Sequence, residues 1–170
     1  MAKPNKEDYG AFYEGYVSKV NFKNLHEAVN IYSQTLTSFF VNLPHEKADY
    51  SYAPNKWSLK DLLQHLIDTE RIMSYRLLRI ARNDQTPLPG FEENNYAVNA
   101  KAGERTFDSL KMELQALRKS TDLLLESLTQ VQLNNAGTAS GQRTTANAIG
   151  FIIFGHLLHH KKIIEESYLN

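Results

Sequence analysis

The apolar residues of this chain recur every three or four positions in four separate stretches, a spacing that places them on one face of an α-helix. The stretches span residues 25–43, 58–81, 107–131 and 146–168. Pro44 ends the first stretch, because proline cannot continue a helix. Four long amphipathic helices and no convincing strand predict an all-α fold, a four-helix bundle with a long crossover loop.

The start of the second helix carries several local signals. Ser58 is a typical N-cap residue, and Asp61 three positions later completes a capping box. Trp57 can pack against Leu62 as a hydrophobic staple. These residues predict that the second helix begins directly after Ser58.

Three segments outside the helices are predicted as connections. Residues 1–20 form an extended or short helical lead-in whose aromatic rings pack on the body; the rings are those of Tyr9, Phe12, Tyr13 and Tyr16. Residues 83–103 form a long loop, interpreted either as a wall over a pocket or as the crossover between helices. Residues 134–144 form a polar loop, and Thr144 or Thr145 caps the fourth helix.

The composition indicates one globular domain over residues 1–170. Hydrophobic residues make up 42% of the chain, and 19 basic residues balance 19 acidic ones. This balance gives no reason to expect binding to nucleic acid or to an anionic membrane. The chain starts with polar residues and has no apolar segment of membrane-spanning length, so the expected location is the cytoplasm. The absence of cysteine excludes disulfides, thiolate ligands and a cysteine nucleophile.

The candidate chemistry lies in the fourth helix. His156 and His160 are one turn apart, near the middle of its apolar stripe, while His159 lies at the stripe's edge. Imidazoles at positions i and i+4 can bind one divalent ion. The alternative is a pair of core histidines satisfied by hydrogen bonds. The stripe consists of Ile149, Ile152, Ile153 and Ile163.

The second helix supplies a third candidate ligand. His65 lies beside the apolar stripe about two turns in, and is either a ligand or a boundary histidine bonded to a neighbouring helix. In a bundle it can converge with the histidine pair of the fourth helix, which would leave the ion an open position, as in catalytic sites. His26 and His45 are expected at the surface.

Glu70 is unusual because it falls within the apolar stripe of the second helix. A buried carboxylate needs a cation or a hydrogen-bond donor. We predict a structural ion pair with one of the arginines nearby in sequence, namely Arg71, Arg76, Arg79 or Arg82.

These residues form a recognisable pattern. It consists of Trp57-Ser58-(x)6-His65-Leu66-Ile67-Asp68 followed by Gly155-His156-(x)3-His160. The pattern resembles that of the DinB/YfiT-like superfamily, and the resemblance extends from about Tyr9 to Leu169. It implies a four-helix bundle in which a helix-two histidine and a C-terminal HxxxH hold a divalent metal. The implied ligands are His65, His156 and His160. His159 is the competitor for the last position, and the stripe favours His160.

The resemblance also implies nickel or zinc as the metal and a homodimer as the assembly. Characterised members include thiol-dependent S-transferases that use bacillithiol, mycothiol or glutathione, and a mycothiol-dependent isomerase. We therefore hypothesise an enzyme whose metal activates a low-molecular-weight thiol for attack on a small electrophilic substrate. Two alternatives stay open: a metal-dependent hydrolase with the same ligands, and a non-enzymatic metal-binding stress-response protein.

Five further residues receive supporting roles in this hypothesis. Asp68, Glu70 and Tyr96 are candidates for proton transfer or for support of the metal ligands. Arg76 and Arg79 are candidates for binding a carboxylate of the thiol.

Overall fold

Four long helices form the body of the protein in this computed structural model, which describes residues 2–170. In chain order the helices are α1 (Glu14–Val17), α2 (Leu25–Val41), α3 (Leu59–Ala81), α4 (Glu93–Ala100), α5 (Phe107–Ser127), α6 (Gln130–Asn134) and α7 (Ala146–Ile163). Helix α7 continues into a π-helical turn, Ile164–Tyr168, and short 3-10 turns occupy Lys6–Asp8, Ala11–Tyr13, His45–Lys47 and Ala102–Glu104. Helix α2 packs against α5 and α7, and α3 packs against the same two helices. The predicted all-α, four-helix-bundle fold is confirmed.

The helix ends follow the local signals of the sequence. The Ser58 hydroxyl accepts a hydrogen bond from the backbone N–H of Asp61, and the Asp61 carboxylate accepts one from the backbone N–H of Ser58. Thr145 caps α7 by accepting from the backbone N–H of Ala148 at 3.1 Å. Helix α5 ends at Ser127, four residues before the predicted end, because Thr129 caps a separate short helix, α6.

The prediction of a loop without strands at residues 134–144 is wrong. Strands β1 (Ala136–Ala139) and β2 (Gln142–Thr145) form an antiparallel hairpin in which Ala136 is opposite Thr145. Ser140 and Gly141 connect the strands with φ angles of 51° and 74°. A two-residue hairpin turn with both residues at positive φ matches the right-handed twist of its strands.

The long loop of residues 83–103 is anchored to this hairpin and contains α4. The backbone N–H of Leu88 donates to the Thr138 carbonyl at 2.9 Å, and the Leu88 carbonyl accepts from the Ser140 N–H at 3.0 Å. Arg76 is buried and donates to the Pro89 carbonyl at 2.6 Å and to the Ser140 hydroxyl at 3.0 Å. The loop is therefore fixed against both α3 and the hairpin.

The buried carboxylate of Glu70 has an ion-pair partner, but the partner is not one of the arginines of its own helix. Arg118 of α5 donates to Glu70 Oε1 at 2.8 Å and also binds the Asp122 carboxylate. Burial raises the pKa of Glu70, and the Arg118 guanidinium opposes that rise. This pairing ties α3 to α5 inside the bundle.

Candidate metal centre

The N-terminal segment reaches the centre of α7 because α7 has a glycine at the crossing. A Cβ atom placed on Gly155 would lie 2.2 Å from the backbone oxygen of Tyr16. With only hydrogen at this position, α1 packs directly on α7. The Tyr16 ring then meets the ring of His156 edge-on, with centroids 5.4 Å apart, and the ring of His159 at 5.3 Å.

The three histidines predicted from the sequence come together between α3 and α7. The Nε2 atom of His156 lies 3.0 Å from Nε2 of His65 and 3.1 Å from Nε2 of His160. These three form the group of side chains, among residues 2–170, whose ligand atoms could share one metal ion. His159 stays outside this group and packs against Tyr16. The geometry therefore favours His160 over His159, as the stripe did, and the ligand assignment itself stays a prediction.

Burial keeps the three imidazoles neutral. Desolvation lowers the pKa of His65 to about 4 and that of His160 to about 2, and it lowers the pKa of His156 well below its usual value. His156 and His160 are only 7% and 8% exposed. Neutral imidazole is the form that binds a metal ion.

The contacts among the ring nitrogens suit a shared cation. The Nε2 of an imidazole has a single in-plane position, which holds either a proton or a lone pair. His156 Nε2 therefore cannot make a hydrogen bond to both neighbouring nitrogens, although both are at hydrogen-bonding distance. Two nitrogens bound to one ion at about 2.1 Å are about 3.0–3.4 Å apart. The donor set thus fits a divalent metal ion.

Two neighbours constrain the ring of His65. The Trp57 ring lies against it with centroids 4.7 Å apart, and the Thr69 hydroxyl is 3.5 Å from His65 Nδ1. The second contact places a hydrogen-bonding group at the nitrogen that faces away from the other histidines. Such contacts orient the ligands of metal sites.

A cavity of about 600 Å³ opens at His65 and His156. Its walls come from the N-terminal segment, from α3, from the loop before α4, from the hairpin and from α7. Its further lining residues are Gly10, Ala11, Phe12, Tyr13, Tyr16, Thr69, Met73, Phe91, Glu92, Glu93, Ser140, Gln142 and Ile152. A smaller cavity of about 260 Å³ reaches His160 from the side of Trp57 and Lys56. The histidine cluster is therefore accessible to a small molecule.

The carboxylate and phenol candidates lie elsewhere. Asp68 accepts a hydrogen bond from Gln64 at 2.9 Å, and burial raises its pKa. The ring of Tyr96 is exposed and packs on Phe91 at 5.3 Å. Both residues line a separate groove beside Arg105, and Glu70 is engaged with Arg118 inside the bundle. None of the three lines the cavity at the histidines, so their placement argues against the proton-transfer role assigned from the sequence.

The two candidate arginines also have structural contacts. Arg76 is occupied by the Pro89 carbonyl and the Ser140 hydroxyl, and Arg79 binds Asp84 and Tyr75. Neither residue lines the cavity at the histidines. Their role in binding a carboxylate of a substrate is therefore not supported by their placement.

The sequence reasoning missed several residues of the cavity. Tyr16 was predicted only to pack on the body, but its ring contacts His156. Glu92 and Glu93, from the loop considered as a pocket wall, line the cavity, as does Gln142 of the hairpin. The available signal for Tyr16 was the glycine next to His156, which permits a close approach without naming the partner. Both interpretations of the long loop hold. The loop lines the cavity, and it also returns from the end of α3 to the start of that helix, where Lys60 donates to the Gly103 carbonyl at 3.4 Å.

One protein-family model matches most of the chain. The model of the DinB superfamily matches residues 33–164. A protein of Oceanobacillus iheyensis, named as a candidate metal-dependent hydrolase, is 24% identical over 158 residues, which cover 89% of this chain and 90% of the relative.

No helix among residues 2–170 is long and apolar enough to cross a membrane.

Two solved structures share the fold. YfiT from Bacillus subtilis, described as a probable metal-dependent hydrolase with an unusual four-helix bundle topology, aligns with a TM-score of 0.69 at 19% identity, covering 98% of this chain and 91% of YfiT. A mycothiol-dependent maleylpyruvate isomerase aligns with a TM-score of 0.65 at 14% identity, covering 83% of this chain and 62% of the isomerase.

Proposed function

The chain belongs to the DinB superfamily, and we propose that it is an enzyme in which His65, His156 and His160 hold one divalent metal ion. The observation that carries this proposal is the convergence of three neutral imidazoles, two of which, His65 and His156, line the larger cavity. Nickel and zinc are the proposed ions, because imidazole nitrogen is a good ligand for both.

We propose thiol transfer as the reaction. A divalent ion in this site would lower the pKa of a thiol or water molecule that enters the cavity. The protein has no cysteine, so a sulfur nucleophile has to come from a small-molecule co-substrate. The mycothiol dependence of the isomerase with the same fold supports this choice. The product would be a thioether or thioester, formed as the thiol sulfur displaces a leaving group from the substrate.

The chain's own residues would position the reactants. The rings of Tyr16 and Trp57 pack on His156 and His65, and they restrict the orientation of both imidazoles. Phe12 and Tyr13 form an aromatic wall of the cavity on the side of the N-terminal segment. The Tyr16 side chain lines the cavity beside His156, and burial raises the pKa of its phenol, which therefore stays protonated and able to donate at neutral pH.

Hydrolysis is the second candidate function. It would use the same three histidines with water as the nucleophile. The names of the Oceanobacillus protein and of YfiT favour it. The reactions differ in one requirement, since hydrolysis proceeds without a thiol.

One assay with two substrates separates these functions. Zinc- or nickel-loaded protein is given chlorodinitrobenzene with a panel of thiols, and separately nitrophenyl acetate without thiol. Thiol-dependent release of chloride that is lost in His156→Ala supports transfer; thiol-independent ester cleavage lost in the same variant supports hydrolysis. His26→Ala is the matched control, because His26 is exposed on α2. If the wild type releases chloride no faster than His156→Ala with every thiol, and cleaves the ester no faster than that variant, neither reaction is the function.

The assembly and location belong to the same proposal. The superfamily resemblance implies a homodimer, and we propose a cytoplasmic enzyme that acts on small molecules. Light scattering of the purified protein and fractionation of the source cells test these two points. A monomer in solution or a membrane-bound fraction would contradict them.

A further inference from the structure

Apart from the proposed metal ion, the charged side chains that line the cavity at the histidines are of one sign. Among residues 2–170, no lysine or arginine lines this cavity, whereas Glu92 and Glu93 both do. Neither glutamate makes a salt bridge within the described chain. The other ionisable lining groups are the half-buried His65, the buried His156 and two tyrosines. A ligand group that extends away from the histidines therefore meets two carboxylates. The guanidinium of Arg76 contacts the lining residues Ser140 and Phe91, but it is held by the Pro89 carbonyl and the Ser140 hydroxyl and does not itself line the cavity.

The walls of the cavity favour the same ligand charge. The rings of Phe12, Tyr13 and Tyr16 form a cluster, with centroid distances of 5.2 Å between the first two and 6.5 Å between the two tyrosines. Phe91 lines the cavity next to the glutamates. Aromatic faces attract ammonium groups through the ring quadrupole, and carboxylates attract them through charge. An anionic group beside the glutamates would gain neither interaction, and only the proposed ion at the histidines would attract it.

We infer that the small-molecule thiol or substrate of this cavity carries a cationic amino group, held by Glu92, Glu93 and the aromatic wall, and that thiols bearing only a carboxylate are discriminated against. This inference rests on the proposed function, because it concerns what occupies the cavity beside the proposed metal. It also explains why Arg76 and Arg79 can be committed to structural contacts: the cavity does not need them to bind a carboxylate.

The glutamates act as specificity-determining residues in this proposal. Glu92 also caps α4, since its carboxylate accepts a hydrogen bond from the Asn94 N–H at 3.3 Å. Replacement by glutamine keeps an accepting oxygen and removes only the charge. Glu93 is half-buried and has no such contact. The Glu→Gln variants therefore change the electrostatics of the cavity while preserving its shape.

Three thiols with the same two-carbon spacer provide the test. Cysteamine, mercaptoethanol and mercaptopropionate end in an ammonium, a hydroxyl and a carboxylate. Each is titrated into cobalt-substituted protein, and the dissociation constant is read from the sulfur-to-cobalt absorption band rather than from turnover. Because the thiols differ in intrinsic acidity, the decisive quantity is how the affinity ratio of cysteamine to mercaptopropionate changes between variants.

We expect this ratio to fall by about tenfold in the Glu92→Gln/Glu93→Gln double variant, the scale of one charge interaction in a partly solvated site. Raising the salt concentration should shrink the ratio in the wild type but not in the double variant. Glu126→Gln is the matched control, because Glu126 is an exposed residue of α5 that does not line the cavity, and it should leave the ratio unchanged.

The outcomes separate this inference from the proposed function. If thiols bind cobalt but the ratio is the same in the double variant, the charge selection is wrong while thiol binding stands. If mercaptopropionate binds best and loses this advantage in Lys56→Gln, the thiol occupies the smaller cavity at His160, which also overturns the inference. If cobalt binds and none of the thiols changes its spectrum, the proposed thiol chemistry fails and the inference with it.

Discussion

Replacing Gly155 by alanine should push α1 away from α7 and destabilise the protein. The added Cβ would lie 2.2 Å from the Tyr16 backbone oxygen and 2.5 Å from its carbonyl carbon. A backbone group cannot rotate away as a side chain can, so α1 has to move by about 1 Å to restore contact distances. Overpacking of this kind costs about 1–3 kcal/mol, and alanine returns at most about 1 kcal/mol of helix propensity.

We therefore expect Gly155→Ala to lower the free energy of unfolding by about 2 kcal/mol, the upper part of the overpacking range less the propensity gain. For a domain of this size, this corresponds to a decrease in melting temperature of about 4–8 °C. Urea denaturation followed by circular dichroism measures the difference. Movement of α1 also displaces the Tyr16 ring from His156, so the NMR resonances of the His156 ring should differ between the variant and the wild type.

Gly15→Ala is the matched control, because no atom lies within 4 Å of the added Cβ on this exposed residue of α1. Its stability should equal or slightly exceed that of the wild type. Equal stability of Gly155→Ala and Gly15→Ala would refute the argument that glycine at position 155 is required for the crossing.

Three other perturbations test the buried charges and the histidines. Arg118→Met should lower the free energy of unfolding, measured by urea denaturation, by about 3–5 kcal/mol, because it leaves two buried carboxylates unpaired. Arg143→Met, which breaks an exposed ion pair, should lower it by less than about 1 kcal/mol. With a metal chelator present, the free energy of unfolding should decrease as the pH is lowered from 6.5 toward 4. Burial lowers the pKa of His65 from 6.5 to about 4, so the unfolded chain binds more protons than the folded chain in that pH range. The His65→Leu variant should show a shallower decrease. Zinc at 100 times its dissociation constant should raise the unfolding free energy by about 2.7 kcal/mol, and a thermal shift that persists in His65→Ala would place the ion elsewhere.

The helices were predictable because their information is local. Periodic apolar positions and the Ser58 cap predict α3 without reference to the rest of the chain. The hairpin was missed because each strand has only four residues, with small or polar side chains and no apolar alternation. Its turn residues, Ser140 and Gly141, were the remaining signal.

The site was predictable only in part, for the same reason. His156 and His160 belong to one helix, so their proximity follows from helical geometry. The partner of Glu70 lies 48 residues away in sequence, and neighbouring arginines gave a wrong expectation. Tyr16 reaches His156 through a helix crossing that no local pattern encodes. Contacts between distant segments depend on packing, which a single sequence does not display.

The central claim is that three histidines hold one metal ion, and elemental analysis of the untagged protein tests it most directly. Protein incubated with zinc or nickel and freed of excess metal should contain one equivalent. His159→Ala should retain it, because His159 lies outside the cluster, and His156→Ala should lose it while keeping its helical circular dichroism. Wild-type protein without bound metal after this treatment, or a full equivalent in His156→Ala, would contradict the account.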